Sequence, residues 1–324
     1  MRKSFFITSP LVLLLVISAF SCNHPKPTDS ATSGKLTLIC DENIKDVMQQ
    51  EEGAFEFTYP KASINTVFTT SSAAMDSLMA LKTSLIVSTS PLTEKQKETL
   101  NDQNCVPYSQ LMSTEAVAFV VNKNNTVEEL AVSDLKDLLS GTAKKWRDIE
   151  PSKLSDIKIL TLEKNTPLVK YLTDSILNGK PLAKEIVTYK SYKEILKAVE
   201  NDKNAIGIVG VSSIMKRPEA YDLGMAAKME KLQTSDITAL DFISNIKVLK
   251  IRKDTEAEGY QPYQVHIYNG DYPFYISYYV TSTSPMGGLS RGYLAFLTGF
   301  LGQKIIQTCG MLPCSLQPRL INNK

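Results

Sequence analysis

Lys35-Leu36-Thr37-Leu38-Ile39-Cys40, followed directly by Asp41-Glu42-Asn43, decides the fold class. The six leading residues form a short apolar run of strand length. Asp41 to Asn43 then interrupt it with polar side chains, and Ile44, Val47 and Met48 recur at helical spacing. The polar triplet therefore sits on a strand-to-helix turn.

The same plan repeats downstream. Residues 63–68 (SINTVF) read as a strand, 69–72 as a polar turn and 73–81 as a helix. Leu85-Ile86-Val87 is a third strand, ending at Ser88-Thr89-Ser90, and Thr93 with Gln96 forms a capping box for the next helix. Strands that alternate with helices of this length give βαβ units and a mainly parallel sheet, hence an α/β fold. In such sheets ligands bind beyond the carboxyl ends of the strands.

Further elements continue the pattern. Residues 116–122 (AVAFVVN) form a buried strand, and Ser133 is expected to cap a helix carrying Leu135, Leu138 and Leu139 up to Gly141. A strand over 157–162 leads through Glu163-Lys164-Asn165-Thr166-Pro167 into a helix through Tyr171 and Leu172. Ser191 and Glu194 open another helix, 205–211 (AIGIVGV) is a strand, and 272–280 is an aromatic, β-branched strand. One long last helix is expected, with Leu294, Leu297, Leu301 and Ile305 on a stripe and Gly310 as its stop.

Outside this repeating region lies a different kind of segment. Arg2 and Lys3 precede an apolar stretch from Phe5 to Phe20, too short for a comfortable membrane span, and small residues flank Cys22. That layout predicts a secretory signal over residues 1–21. Ala19 and Ser21 before Cys22 resemble a bacterial lipobox, which implies a lipid on Cys22; an ordinary signal peptide and an uncleaved anchor are the plainer alternatives. Residues 22–34, rich in Pro, Ser and Thr, read as a tether with too little apolar surface to fold.

The rest of the chain exceeds the usual size of one hydrophobic core, so two lobes are expected. With 36 basic and 34 acidic residues, the net charge of +2 and the absence of a long basic run argue against a nucleic-acid partner. Beyond Cys22 the cysteines are Cys40, Cys105, Cys309 and Cys314. An oxidising envelope permits pairing, of Cys309 with Cys314 above all, while buried free thiols are the equal alternative.

Catalytic chemistry finds little support. The two histidines are His24, in the tether, and His266, in a strand-like run between Tyr263 and Tyr268, where a structural or surface role is expected. A histidine-rich metal site is excluded, and there is no nucleophile elbow, phosphate loop or paired C-x-x-C. Asp41 and Glu42 could serve as a general base, but with no nucleophile or metal partner identifiable a solvated helix start is the better account of them.

What the strand ends offer is a repeated supply of hydroxyls and backbone N–H groups. Ser71-Ser72, Ser88-Thr89-Ser90 and Asn165-Thr166 each precede or open a helix, and several such starts converging on one cleft would hold a small oxyanion. Taken one at a time, each is better read as a simple cap, and the signal is their repetition across successive βα turns. Asp41, Glu42 and Asn43 join this set by position, and Lys164 could supply positive charge.

Read in order, several segments resemble phosphate-binding-protein-like solute-binding proteins of ABC importers. They are 41–45 (DENIK), the 55–60 stretch ending at Pro60, and 84–93 (SLIVSTSPLT). Next come 135–149 (LKDLLSGTAKKWRDI) with Gly141 and Trp146, 204–210 (NAIGIVG) and Tyr272-Pro273-Phe274. Residues 299–313, with Gln303 and Gly310, complete the set. The resemblance implies a type II periplasmic-binding-protein fold of two α/β lobes joined by two crossover strands, near 113–118 and 272–278. Residues 35–115 and 275–324 would form one lobe and 116–274 the other, with the ligand between them. It further implies a small oxyanion ligand, phosphate first, an ABC permease partner in the inner membrane, a periplasmic, lipid-anchored location, and no cofactor, metal or covalent chemistry. The chain departs from the family at Leu162 to Pro167 and around Ser90, where phosphate binders commonly carry arginine. If Asp41, Glu42 and Glu163 face the cleft, an oxyanion that brings its own proton would suit it better than a dianion. Two other readings follow from the same residues: an envelope sensor or scaffold binding a partner protein, and an acid-based hydrolase.

Overall fold

β1 (Ser33–Asp41) buries Leu36, Leu38 and Cys40 on one side of its pleat, the alternation expected of a strand with one face on a helix. The computed structural model describes residues 29–149, 154–216, 224–234, 241–284 and 287–317. Cys22, the stretch read as a signal peptide, and His24 lie outside the described residues.

A short 3-10 turn, Glu42–Ile44, leads from β1 into α1 (Lys45–Thr58), and β2 (Lys61–Thr69) returns parallel to β1. α2 (Ser71–Met79), β3 (Leu85–Ser88) and α3 (Glu94–Asp102) follow, the last opened by the expected Thr93–Gln96 capping box. β3 is buried along its whole length, as a central parallel strand covered on both faces must be.

β4 (Tyr108–Asn122) runs through both halves of the sheet. After it come β5 (Glu129–Ala131), α4 (Val132–Ser140), β6 (Lys158–Leu162), α5 (Pro167–Tyr171), β7 (Val187–Tyr189), α6 (Tyr192–Asn201) and β8 (Ala205–Gly210). α7 (Met225–Thr234), β9 (Ile246–Val248), β10 (Lys250–Arg252) and α8 (Gln264–Tyr268) complete that stretch. β11 (Tyr275–Ser282), α9 (Gly288–Thr298), α10 (Phe300–Thr308) and β12 (Leu312–Pro313) close the chain.

The strand order is β2-β1-β3-β11-β4-β8-β6-β7, with β9 and β12 also on β4. β1, β2 and β3 are parallel, as are β6, β7 and β8, whereas β11 is antiparallel to both β3 and β4. β4 pairs with β11 as far as Ala116, opposite Tyr275, and from Val117 onward with β8. The chain thus passes between two α/β halves along β4 and back at Phe274, whose carbonyl accepts the Val117 N–H at 2.9 Å. Phe55 anchors the first half's core, its ring 4.9 Å, 5.0 Å and 5.2 Å from those of Tyr59, Tyr293 and Phe296. Trp146 anchors the second, fully buried, with its indole N–H donated to the Asn204 carbonyl.

Several local expectations need correction. The last helix is two helices broken at Gly299, whose ψ of 177° is extended, so the leucine stripe bends there. His266 sits in α8 rather than a strand, because the aromatic run around it turns on Tyr263. Ser133 does not cap α4: Ala131 is the cap position, its N–H held by Asp134, and Ser133 donates instead to Asp254. Gly141, with φ of 80°, does end α4 in the left-handed conformation that disfavours a Cβ. The stretch read as a tether ends early, since Asp29 accepts the Leu289 N–H at 3.0 Å and β1 begins at Ser33. Cys40, Cys105, Cys309 and Cys314 are free thiols. Although α7 lies in sequence among second-half elements, it packs on α1 and α10 of the first. Among the described residues no helix is long and apolar enough to cross a membrane.

Candidate functional site

Between the two halves lies a cleft of about 750 Å³. The first half contributes Thr70, Ser71, Ser72 and Thr89, the second Lys164, Asn165 and the face of α5, and β11 supplies Tyr275 to Ser277 as its floor. Apart from that floor, which is the start of β11, these residues follow the carboxyl-terminal ends of β2, β3 and β6, where α/β sheets place ligands.

The first-half side is organised around Asp41. Its carboxylate is fully buried, accepts the Asn43 N–H at 3.0 Å and the Ser71 hydroxyl, and lies against the Ser71 backbone N–H. Burial nevertheless outweighs those donors and pushes Asp41 up to about 6, with Glu42 adding a smaller negative charge. The Ser71 oxygen in turn accepts the Thr89 N–H at 2.8 Å. A serine has one hydroxyl hydrogen. With it given to Asp41, Ser71 can only accept from a ligand until Asp41 is protonated. Thr70 caps α2 by accepting the Ala73 N–H at 3.3 Å, which leaves the Ser72 N–H at the mouth without a partner among the described residues.

The second-half side carries the cations. Lys170 is paired with Asp174 at 2.6 Å, while Lys164 has no carboxylate within ion-pair distance among the described residues. Asn165 has φ of 76°, a left-handed conformation that asparagine tolerates and that turns the chain from β6 into α5. Tyr171 accepts the Tyr275 N–H at 3.1 Å, fastening α5 to the floor strand, and burial pushes its hydroxyl up to about 12. No arginine lines the cleft among the described residues.

The structure thus brings Ser71, Ser72, Thr89, Lys164 and Asn165 to one cavity, with Asp41 directly behind Ser71. Ser88 is buried in β3, its hydroxyl turned to the Ser90 carbonyl at 2.9 Å, and Ser90 lies outside the lining. Thr166 spends its hydroxyl as the cap of α5 and as a donor to Glu163. Glu42 is exposed on the 3-10 turn, and the buried Asn43 carboxamide faces the Tyr278 hydroxyl. Sequence reasoning missed Glu115, buried between the halves, although an ionisable residue inside the otherwise uncharged run from Leu111 to Val121 was a readable signal.

Residues 25–300 match the profile of the PBP superfamily domain. The chain belongs to the PBP superfamily. Its architecture is the two-lobed type II periplasmic-binding-protein fold, with β4 and β11 as the crossovers. Among curated relatives, the phosphate-binding protein PstS of Staphylococcus epidermidis is 28% identical over 204 residues, 62% of this chain and 54% of that protein. PstS of Staphylococcus aureus is 33% identical over 134 residues, 40% of this chain and 35% of its own. The chain therefore spans about half, or less, of the length of the curated relatives it matches. Two solved superfamily structures overlay well. One is a putative phosphate ABC transporter substrate-binding protein with bound phosphate from Clostridium perfringens: TM-score 0.65, 15% identity, covering 87% of this chain and 100% of that one. The other is an ABC-type phosphate transport receptor from Vibrio cholerae: TM-score 0.63, 14% identity, covering 86% and 100%. At these identities the overlays show the fold.

Proposed function

We propose that this superfamily member is the solute-binding component of an ABC importer and captures phosphate or a related small oxyanion between its lobes. The observation that carries this reading is the set of donors at the cleft: the Ser72 N–H, the Thr89 hydroxyl, Asn165 and the Lys164 ammonium, which has no ion-pair partner among the described residues. Amide and hydroxyl donors with one cation hold a small oxyanion without covalent chemistry. The names of the PstS relatives support the ligand class. Closure would be a hinge movement about β4 and β11, presenting the bound ion to a permease in the inner membrane. On this reading a lipid on Cys22 holds the protein at the membrane of the cell envelope.

The test is thermal unfolding of the full chain with and without phosphate, with sulfate at matched ionic strength as control. A ligand at about a thousand times its dissociation constant adds roughly 4 kcal/mol of stability. A phosphate-specific rise in Tm supports phosphate as the ligand, a rise with sulfate instead moves the assignment to another oxyanion, and no rise with either moves it to a different ligand or a protein partner. The missing arginine favours a second reading, an envelope sensor or scaffold of the same fold, for which neither ion would shift the transition.

A further inference from the structure

Beneath the cleft lies a second acid–serine couple that the site described above does not use. Glu115 sits on β4 beside the point where that strand exchanges β11 for β8, and it is buried. Ser212, in the turn after β8, donates its hydroxyl to Glu115 Oε1 and its N–H to the same atom at 3.2 Å. The Tyr278 hydroxyl is 3.5 Å from Oε2. This repeats the arrangement at Asp41, where a buried carboxylate also takes one serine O–H and a neighbouring N–H. Asp41 closes β1 and Ser212 follows the carboxyl end of β8, while Glu115 lies mid-strand in β4, across from the floor residue Ile276.

The surroundings of Glu115 are acidic or neutral. Asp41 faces it from β1, Tyr278 from β11, Tyr192 from the start of α6 and Ser212 from the turn after β8, with Glu42 adding negative charge beyond Tyr192. Gly210 admits the carboxylate, since a Cβ there would lie 2.5 Å from Oε1.

We propose that Glu115, on the crossover strand, and Ser212, from the second half, form a further anion-binding couple of the cleft, switched on by a proton on Glu115. The proposal rests on the reading of the cleft as an oxyanion site. Ionised, Glu115 repels an anion and takes the one hydroxyl hydrogen of Ser212. A proton taken from solvent removes the charge and lets the acid donate through its own O–H, so the Ser212 hydrogen can turn to the ligand. Burial first, and the negative charge of Asp41 to a smaller extent, outweigh the Ser212 and Tyr278 hydrogen bonds and push Glu115 up to about 7, so the neutral form is populated near neutrality.

The experiment compares the full chain with Glu115→Gln and Ser212→Ala, reading phosphate Kd by calorimetry from about pH 5.5 to about pH 8.5, a window that spans the shifted carboxyl. Glutamine is neutral at every pH and donates through its NH2. Its affinity should match that of the unaltered protein at the acid end and exceed it on the order of tenfold at the alkaline end, as one uncompensated buried charge requires. The ionisation of phosphate itself is common to both and cancels in the ratio. Ser212→Ala should lose affinity mainly at the acid end, whereas a purely structural role would lower it equally throughout. A ratio that is constant with pH overturns the proposal. Ligand-free melting separates its parts: Tm of the unaltered protein should fall more steeply across the window than that of Glu115→Gln, and parallel slopes overturn the titration of Glu115. If none of the three proteins binds phosphate at any pH, the oxyanion reading fails and the ligand half of the proposal fails with it, while the melting slopes still decide the proton half.

Discussion

Ser71 gives its hydroxyl hydrogen to the buried Asp41 carboxylate, and the same oxygen receives the Thr89 N–H at 2.8 Å. Three segments distant in sequence, the end of β1, the start of α2 and the end of β3, are thereby fixed to one another at the mouth of the cleft. Ser71→Ala would leave a buried carboxylate oxygen and a backbone N–H without their partner. The expected cost is about 1–3 kcal/mol of stability, the usual penalty for orphaning a buried polar group. Denaturant unfolding of the two proteins checks it, and a loss below a few tenths would mean that the contact is solvated.

Asp41 and Glu115 together set a pH dependence. Both carboxyls are held above their usual values by burial, at about 6 and about 7. A carboxyl raised on folding contributes stability that is fully present below the unfolded pKa, roughly 4, and is lost as pH rises through the folded value. The ligand-free protein should therefore melt at progressively lower temperature as pH rises from about 4 to about 7, with the loss complete a little above. Asp41→Asn should flatten the acid part of that fall. A Tm that climbs over the same interval contradicts the burial of these acids.

Lys164 stands in the cleft without an ion-pair partner among the described residues, whereas Lys170 is neutralised by Asp174. Lys164→Gln should weaken phosphate binding about tenfold and reduce its salt dependence, while Lys170→Gln should change little. Calorimetric titration at two salt concentrations distinguishes them. Equal effects would place the two amines in equivalent positions.

Gly210 lies where a methyl group would meet the Glu115 carboxylate. Gly210→Ala should displace Glu115, break its bonds to Ser212 and destabilise by about 1–3 kcal/mol, an overpacking cost. Restoring room with Glu115→Ala in the same chain should recover part of that loss, a coupling that a double-mutant cycle measures.

The sequence made the layout legible because burial writes itself into strand composition. The runs at 35–40, 63–68, 85–87 and 205–211 all lie in strands except Val211, which opens the turn after β8; β3 and β8 are buried throughout because both faces are covered, while β1 and β2 alternate because one face is. Cap positions were less secure: Thr93 caps as expected, but Ser133 was claimed by Asp254 across a long sequence separation, which no local pattern reveals. The site followed the same division. Ser71, Ser72, Thr89, Lys164 and Asn165 were found from their place at strand ends. Ser88 and Thr166 satisfy the same rule and turn their hydroxyls inward to the backbone, a choice made by local rotamers. Glu115 and Ser212 meet only after β4 and β8 have paired, so their couple is a product of register.

The position of α7 has a mechanical consequence. Lys228 reaches the Gln50 carboxamide oxygen at 3.1 Å, and Met225 presses on Gly53, so this helix is seated on α1 although its chain comes from β8 and leads on to β9. Spreading the lobes must leave α7 behind with the first of them. The first half therefore holds a helix contributed by the second half's stretch of chain, and the two halves are tied at α7 as well as at β4 and β11.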